Sequence, residues 1–475
     1  MTTLDRIDET LWEIPASRRP DMRVPARVFA SEEIVDAIGD DRSLEQLENV
    51  ATLPGIVDAA IAMPDIHQGY GFPVGGLAAT ERAGGIVSPG GVGYDINCGV
   101  RLLALPLRSS ELGDRKEMLV DEISRVAPAG IGRGSANGLA AAELDRVLTR
   151  GPAALLERGI GTPEDVELTE SGGCLPGADP GALSARARER GAGQLGTLGS
   201  GNHFIELQRV ERVDEPLCAA AYGLGEGAVT ILIHSGSRGL GHQVCTDYVR
   251  RMDASVREHA IELPDRQLAC APLSSPEARD YLAAMAAAAN FAWANRAALA
   301  DACRTAIATV FGPAAAAQTR QVYDVAHNVA KLESYGGRKL CVHRKGATRA
   351  FPPGHGEIPE RHRDAGQAVF IPGSMGSASY VLAGRPGAVE RAFGTACHGA
   401  GRRLSRTQAR KRIGGAELRR QLEAEGVTVR CASNRGLAEE APFAYKDVDS
   451  VVDVVERAGL AARVARLRPI GVVKG

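Results

Sequence analysis

Five of the ten histidines in this sequence lie in short segments punctuated by glycine or at the end of an apolar run: His67, His203, His234, His327 and His398. Imidazole serves proteins as a metal ligand, a nucleophile and a general base. Glycine lets the backbone pass close to an ion or a phosphate. One histidine of this kind is more often structural than catalytic. Five in the same context predict one metal site with a phosphate-binding loop system.

A carboxylate and a thiol join this group. Asp95 and Cys98 stand three residues apart in SPGGVGYDINCGVR, so a turn there would direct both side chains to one ion. Asp65 precedes His67 in MPDIHQGYGFPVGG and is a further candidate ligand. The Asp95 and Cys98 spacing is weak evidence alone, because a free cysteine is more often a small buried hydrophobe. By ligand type, cysteine with histidine suggests zinc.

Other segments carry groups suited to a polar, phosphorylated ligand. In GQLGTLGSGNHFIEL, Asn202 and Glu206 follow a glycine-rich turn and could read a base or a ribose. The small residues of FIPGSMGSASYVL could cradle phosphates through backbone N–H groups. Arg238 is a potential phosphate clamp, and Lys345 with Arg349 forms a local basic patch.

Mixed α and β elements must position these groups. The apolar runs AVTILIHS, RKLCVHRK and QAVFI each end in a polar, glycine-rich turn and predict buried strands. Residues 32–50 predict a helical region, and the Ala-rich residues 276–311 predict a long core helix. The C-terminal segment predicts an amphipathic helix and then a docked, extended end. Residues 151–194 are turn-rich and predict an exposed insertion or lid. We expect residues 1–475 to form one large catalytic body.

Composition narrows the class of protein. With 475 residues, 44% hydrophobic and 24% charged, the chain has the composition of a globular protein rather than of a disordered or fibrous one. The net charge of −2 means that any site for a polyanion must be a local patch. Nine cysteines without CxxC pairs favour a reduced compartment. No apolar segment has the length of a signal peptide or a membrane span, so we expect a cytoplasmic protein without a membrane partner.

Taken in order, the motifs resemble those of the RtcB family of RNA ligases. The matching segments are MPDIHQGYGFPVGG, GGVGYDINCGVR, QLGTLGSGNHFIE, HSGSRGLG, AHN, HRKGATRAF, PGSMGSASY, HGAGR and RPIGVVKG. They extend from the N-terminal region to Gly475, and so many long, ordered motifs exclude coincidence. The resemblance implies an α/β body of RtcB-like fold with a central metal-binding cleft.

The resemblance also implies a reaction: joining a 2′,3′-cyclic phosphate or 3′-phosphate RNA end to a 5′-hydroxyl end, with GTP and two Mn²⁺ ions. Asp95, Cys98 and His203 would hold one ion, and Cys98, His234 and His327 the other. His398 would become covalently guanylylated, and the guanylate would pass to the RNA 3′ end as RNA-3′-pp-5′-G. The residues implied in catalysis are His398, Asp65 and Cys98. The identity of the metal as manganese rests on the resemblance.

Contacts to the nucleotide and the RNA follow by the same resemblance. The implied GTP contacts are Asn202, His203, Phe204, Ile205, Glu206, His327, Asn328, Pro372, Gly373, Ser374, Met375, Ser379, His398, Gly399, Ala400, Gly401 and Lys474. The implied RNA phosphate contacts are Arg190, Arg238, Lys345 and Arg402. An archease protein accelerates some members of the family, so archease is a candidate partner. The substrate would be tRNA halves in splicing, or damaged RNA in repair.

Two alternatives stay open from the sequence. One is a metal-dependent phosphoesterase that processes RNA ends without sealing them, which would tolerate the loss of His398. The other is a non-catalytic RNA-binding relative, which would be expected to have lost a metal ligand. The intact HGAGR motif and the complete ligand set favour ligation over both.

Overall fold

The computed structural model describes residues 4–38, 41–130, 134 and 138–475. The strands in these residues are β1 (Asp5–Arg6), β2 (Leu11–Ile14), β3 (Ala26–Phe29), β4 (Ala60–His67), β5 (Val74–Glu81), β6 (Ile86–Val87), β7 (Gly99–Arg108), β8 (Phe204–Val213), β9 (Ala228–Ser235), β10 (Ala271–Pro272), β11 (Arg320–Ala326), β12 (Asn328–Tyr335), β13 (Arg338–Lys345), β14 (Ala347–Arg349), β15 (Ala368–Ile371), β16 (Ser379–Gly384), β17 (Thr395–Cys397), β18 (Thr428–Cys431) and β19 (Ala461–Lys474). The α-helices are α1 (Glu32–Ile38), α2 (Ser43–Val50), α3 (Arg115–Val126), α4 (Ala141–Arg150), α5 (Pro163–Glu167), α6 (Ala185–Ala192), α7 (Pro216–Ala221), α8 (Arg238–Glu258), α9 (Pro276–Phe311), α10 (Pro313–Gln318), α11 (Pro386–Ala392), α12 (Arg406–Arg412), α13 (Gly415–Ala424), α14 (Asn434–Glu439) and α15 (Val448–Arg457).

Two large sheets organise the chain. One has the strand order β1-β2-β3-β4-β5-β13-β12, and the other has the order β11-β7-β9-β8-β19-β16-β15, with β18 beside β19. Most neighbouring strands are antiparallel, whereas β3 with β4 and β18 with β19 are parallel. The mixed α/β class expected from the sequence is confirmed, as are the buried strands at AVTILIHS, RKLCVHRK and QAVFI.

The long helix α9 is the predicted core helix, with the predicted bounds. The Ser275 hydroxyl accepts the Ala278 N–H and caps its start, and Pro276 occupies the first helical position, where no N–H is needed. The alanines favour the helix and allow α3, α4 and α8 to pack closely against it. The C-terminal segment also folds as expected, as α15 followed by β19.

The helical region predicted over residues 32–50 is two helices, α1 and α2, and residues 39–40 of that prediction lie outside the described residues. A local side-chain hydrogen bond marks the start of the second helix. The Asp41 carboxylate accepts the backbone N–H of Ser43 at 2.8 Å, at the first residue of α2.

Residues 151–194, which we expect to form an exposed insertion or lid, are partly buried, and their role as an insertion or lid stays a prediction. Leu155 and Leu183 are buried in the hydrophobic cluster around α9. Asp165 forms a two-pronged ion pair with Arg304 of α9, with both N–O distances 2.7 Å. The fully buried Glu170 accepts a hydrogen bond from the backbone of the second sheet. Turn-rich polar composition predicts an exposed segment, but the carboxylates of Asp165 and Glu170 are buried and bind groups from distant parts of the chain.

Within the described ranges, no helix has both the length and the apolar character needed to cross a membrane.

Candidate active site

The candidate metal ligands lie at one end of four adjacent strands of the second sheet. In the order β11-β7-β9-β8, the register pairs Ala326 with Gly99, Gly99 with Ser235, and His234 with Phe204. The candidate ligands Cys98, His203 and His327 lie one residue outside β7, β8 and β11, and the fourth, His234, is the penultimate residue of β9. Neighbouring strand ends therefore gather side chains that are far apart in the sequence.

The gathered side chains lie within ligand distance of one another. The Cys98 Sγ lies 3.2 Å from the His234 Nε2 and 3.5 Å from the His203 Nε2. The His203 Nε2 lies 2.8 Å from the Asp95 Oδ2. Two triads result, each with its ligand atoms within 4.8 Å of one another: Asp95, Cys98 and His203 form one, and Cys98, His234 and His327 form the other. Cys98 is common to both.

The protonation chemistry of this cluster fits a cation. Both ring nitrogens of His327 and the Nδ1 of His234 are buried without a hydrogen-bond partner among the described residues. Burial, with repulsion from neighbouring histidines, lowers the pKa of both rings well below its ordinary value and keeps them neutral, the form that binds metals. Burial and the nearby Asp95 raise the pKa of the Cys98 thiol, and a bound cation would reverse that effect.

His398 lies beside the second triad and is held by Asp65. Its ring centroid is 5.1 Å from that of His327. Its Nδ1 donates to the Asp65 Oδ2 at 2.6 Å, and its backbone N–H donates to the same oxygen at 3.2 Å. Asp65 is fully buried, whereas the His398 side chain is 15% exposed. This leaves Nε2 as the ring nitrogen of His398 available to a ligand.

His398 and every residue of the two triads except His203 border one cavity of about 260 Å³. Many of the predicted nucleotide contacts line it: Asn202, Phe204, His327, Asn328, Pro372, Gly373, His398, Gly399, Ala400 and Gly401. A carboxylate, a thiol, imidazoles and loop backbone thus face a single space. Such a set can hold cations against a phosphorylated ligand and present a nucleophile to it.

Comparison with known proteins decides the family. The family model described as tRNA-splicing ligase RtcB matches residues 46–475. The chain belongs to the RtcB family. The tRNA-splicing ligase RtcB of Thermococcus kodakarensis is 51% identical over 480 residues, which cover 100% of this chain and 99% of that protein. The RNA-splicing ligase RtcB of Mycobacterium tuberculosis is 52% identical over 437 residues, which cover 90% of this chain and 100% of that protein.

Several predicted nucleotide contacts of this RtcB chain lie away from the cavity lining. The Ile205 side chain packs in a hydrophobic cluster on the face of β8 opposite to that of Phe204. Met375 packs in another hydrophobic cluster. Glu206 and Ser379 are buried, and both accept hydrogen bonds from Gln208, at 2.8 and 3.2 Å. Burial raises the pKa of Glu206 to about 8. Contact of these side chains with a nucleotide stays a prediction.

The remaining predicted contacts in this group are held by hydrogen bonds. The Lys474 Nζ donates to the carbonyl of His203 at 3.2 Å and lies 5.5 Å from the centre of the Phe204 ring. Burial lowers the pKa of Lys474 to about 8. The Ser374 backbone N–H donates to the Ser377 hydroxyl at 2.7 Å. The C-terminal strand thus reaches His203, a residue of the first triad.

Two of the predicted RNA contacts line the cavity but bind protein groups. The Lys345 Nζ donates to the carbonyls of Tyr70, Phe72 and Gly90, the latter two at 3.0 and 3.3 Å, and burial lowers its pKa to about 7. Arg402 pairs with Glu440 at 2.8 Å. From the resemblance to the RtcB family, we expect Lys345 and Arg402 to contact RNA phosphates. Here their donors hold loops in place.

The other two lie around the first triad. The Arg238 Nη1 is 3.1 Å from the His203 Nδ1, and Arg238 adopts a left-handed conformation with φ of 55°. Arg190 donates to the Gln243 side chain at 3.1 Å and packs near the start of α8. Among the described residues neither guanidinium forms an ion pair with a carboxylate, although Arg238 lies near the charge of Asp95. Contact of either arginine with an RNA phosphate stays a prediction.

Sequence reasoning missed several residues that line the cavity, among them Tyr94, Arg406 and Tyr445. Tyr94 directly precedes Asp95 in the same motif, and Arg406 follows Arg402 in a basic segment, so both were within reach of the motif argument. Tyr445 belongs to no motif. Tertiary contacts alone bring it to the site, where its hydroxyl lies 3.1 Å from the Arg402 Nη1.

Proposed function

We propose that this chain is an RNA ligase that joins 2′,3′-cyclic phosphate or 3′-phosphate RNA ends to 5′-hydroxyl ends through a covalent His398-GMP adduct, in tRNA splicing or RNA repair. Family membership supports RNA ligation as the general activity. The observation that carries the chemistry is the placement of His398, held by Asp65, against two triads that share Cys98. We keep one catalytic body over residues 1–475 as part of the proposal.

The first step uses the free nitrogen of His398. With Nδ1–H donated to Asp65, the Nε2 lone pair attacks the α-phosphorus of GTP, and the bond to the bridging oxygen of the β-phosphate breaks to release pyrophosphate. The ring becomes cationic in the adduct. The buried Asp65 carboxylate stabilises that charge through the 2.6 Å hydrogen bond, much as a carboxylate supports the histidine of a serine hydrolase.

The next steps move the guanylate to the RNA. A 3′-phosphate oxygen attacks the phosphorus of the adduct, and the Nε2 of His398 leaves, which gives RNA-3′-pp-5′-G. The 5′-hydroxyl of the second RNA then attacks the 3′-phosphorus and expels GMP. A cyclic phosphate would first be opened by water to a 3′-phosphate at the same site. Two Mn²⁺ ions held by Asp95, Cys98, His203, His234 and His327 would supply the positive charge that phosphoryl transfer requires.

The nucleotide specificity is assigned to Asn202 and Glu206. In its ionised form Glu206 could accept two hydrogen bonds side by side, which suits the N1–H and the amino group of guanine. Those two donors would favour the ionised form against the burial that raises its pKa. Glu206 follows Phe204, a cavity-lining residue, by two positions on β8 and is 1% exposed. RNA phosphates would meet Arg190, Arg238, Lys345 and Arg402. Archease as a partner and a cytoplasmic location also remain proposals.

A joining assay tests this function. The substrates are RNAs with a 3′-phosphate or a cyclic phosphate together with a 5′-hydroxyl RNA, incubated with GTP and Mn²⁺. We expect joined product from wild type and from His259→Ala, which removes an exposed histidine, and none from His398→Ala. Opening of the cyclic phosphate without joining would instead identify an end-processing phosphoesterase. Joining of a 3′-hydroxyl to a 5′-phosphate would identify another class of ligase.

A further inference from the structure

We infer that Asn295 and Arg296, two neighbours on α9, are positioning residues that hold the metal-ligand loops in register. The inference rests on the metal site of the proposed function. Both side chains are fully buried in the middle of the long helix, and neither belongs to a triad. A buried arginine in an alanine-rich core helix needs a full set of acceptors, because an unpaired buried charge is strongly destabilising.

The acceptors of Arg296 are next to the ligands. Its Nη1 donates to the carbonyl of Asn97 at 2.7 Å and to the carbonyl of Ser235 at 2.9 Å. Asn97 directly precedes Cys98, and Ser235 directly follows His234. Its Nη2 also donates to the Asn97 side-chain oxygen at 3.0 Å. One guanidinium therefore fixes the backbone beside a ligand of each of two strands.

A charge partner holds Arg296 itself. Its Nη2 lies 2.7 Å from the Oδ1 of Asp324, which stands in β11 three residues before His327. Asp324 also accepts from the Nε of Arg101 at 2.8 Å. If Arg296 lost its charge, Asp324 would still have Arg101 as a cationic partner. This arrangement ties the strand that carries His327 to the same guanidinium.

Asn295 does the same for the loops after β9 and before β8. Its oxygen accepts the N–H groups of Gly196 and Thr197 at 2.8 and 3.2 Å. Its amide nitrogen donates to the carbonyl of Thr197 at 3.1 Å, to the hydroxyl of Ser235 at 3.1 Å and to the carbonyl of Gly236 at 3.2 Å. The next residue of this loop, Leu198, offers its carbonyl to the Nδ1 of His203 at 3.1 Å.

The location of these contacts distinguishes a role in orienting the metal ligands from a role in the stability of the fold alone. Each hydrogen bond from Asn295 or Arg296 ends on the backbone or a side chain of a loop or strand that carries Cys98, His203, His234 or His327. Groups that orient metal ligands from outside typically change metal affinity by about 10- to 100-fold when they are removed. A residue that only stabilises the helix core would lower the melting temperature without changing the affinity.

The test measures Mn²⁺ affinity by equilibrium dialysis, and the absorption bands of the Co²⁺-loaded protein, with no RNA or GTP present. The variants are Asn295→Leu, Arg296→Met and Arg296→Lys. The last keeps the charge but loses the several donors of the guanidinium. The matched control is Arg304→Met, which breaks another ion pair of α9, the largely buried one with Asp165. We expect affinities weakened by roughly 10- to 100-fold with altered Co²⁺ bands in the three variants, and wild-type affinity in the control.

The outcomes are distinguishable. Wild-type affinity in Arg296→Lys and Asn295→Leu would overturn the positioning role while leaving the metal site intact. Equal losses in Arg304→Met would also overturn it, because the effect would then be one of general stability. If the wild-type protein binds no Mn²⁺, the metal site fails and this inference fails with it. If Arg296→Met does not fold, the other two variants decide.

Discussion

The Asp65 Oδ2 accepts two hydrogen bonds from His398, one from the ring Nδ1 at 2.6 Å and one from the backbone N–H at 3.2 Å. A carboxylate can only accept, so the proton of the neutral ring is fixed on Nδ1 and the lone pair on Nε2. The backbone bond fixes the residue as well as its ring. A fully buried aspartate 333 positions away in the sequence thus sets the tautomer of the proposed nucleophile.

Replacing Asp65 with asparagine keeps the shape of the side chain but removes its charge. An amide nitrogen facing Nδ1 would favour the wrong tautomer, and the cationic ring of the adduct would lose its counter-charge. We expect the rate of protein guanylylation to fall by about 10²- to 10⁴-fold, by analogy with the aspartate of a serine-protease triad. Single-turnover labelling measures this rate, and unchanged Mn²⁺ binding is the control. A variant labelled at the wild-type rate would show that Asp65 is only structural.

Cys98 is the ligand that both triads share, so Cys98→Ala should remove more than one metal. We expect a large loss of bound Mn²⁺ and no RNA joining. Elemental analysis after dialysis measures the stoichiometry. Cys303→Ala is the matched control, since it removes another buried thiol, on α9, and should keep wild-type metal content and activity. Robust turnover by Cys98→Ala would contradict the shared role.

Glu206 should make stability depend on pH. Burial raises its pKa to about 8 from an ordinary 4.5, so the folded state holds the proton more tightly than the unfolded state. Its unfavourable effect therefore grows as the pH rises from about 4.5 to 8 and is constant above that range. We expect Glu206→Gln to melt progressively higher than wild type over this range. The control Glu262→Gln, at an exposed carboxyl, should show no such trend. A difference independent of pH would contradict this assignment.

Gly236 should be required for the first triad because of a close approach. A Cβ at this position would overlap the Asp95 carboxylate. We expect Gly236→Ala to displace Asp95 and weaken Mn²⁺ binding by at least about tenfold, the size typical of a disturbed ligand shell. Gly225→Ala, where a Cβ would meet nothing within 4 Å, is the control. Equal affinities in the two variants, measured by equilibrium dialysis, would show that the loop relaxes around the extra methyl group.

Much of the site was predictable because its candidate residues belong to short motifs in the sequence. Four of the five candidate ligands stand at or next to the ends of neighbouring strands, and a turn before Cys98 brings Asp95 to the same place. Their binding of a metal stays a prediction. The long helix α9 was also predictable from its alanines. What the sequence does not show is the role of Arg296 and Asn295. Their periodicity places them on α9, but their acceptors come from loops up to 199 residues away.

Two predictions about polar residues show where local sequence stops being informative. Turn-rich composition predicts an exposed insertion or lid over residues 151–194, and the family resemblance predicts that Lys345 contacts an RNA phosphate; both stay predictions. In the structure, Glu170 of that segment and Lys345 are both buried, and each is satisfied by partners far along the chain. Burial of a polar group depends on tertiary hydrogen bonds, and local sequence patterns do not report them.

The most direct test of the central claim is the labelling of the protein by GTP that carries radioactive phosphorus at the α-position. The protein is incubated with this GTP and Mn²⁺ and separated by denaturing electrophoresis. We expect an acid-labile label on wild type and on His259→Ala, and no label on His398→Ala. An unlabelled wild-type protein, or a His398→Ala variant that keeps the label, would contradict the proposal that His398 carries the guanylate.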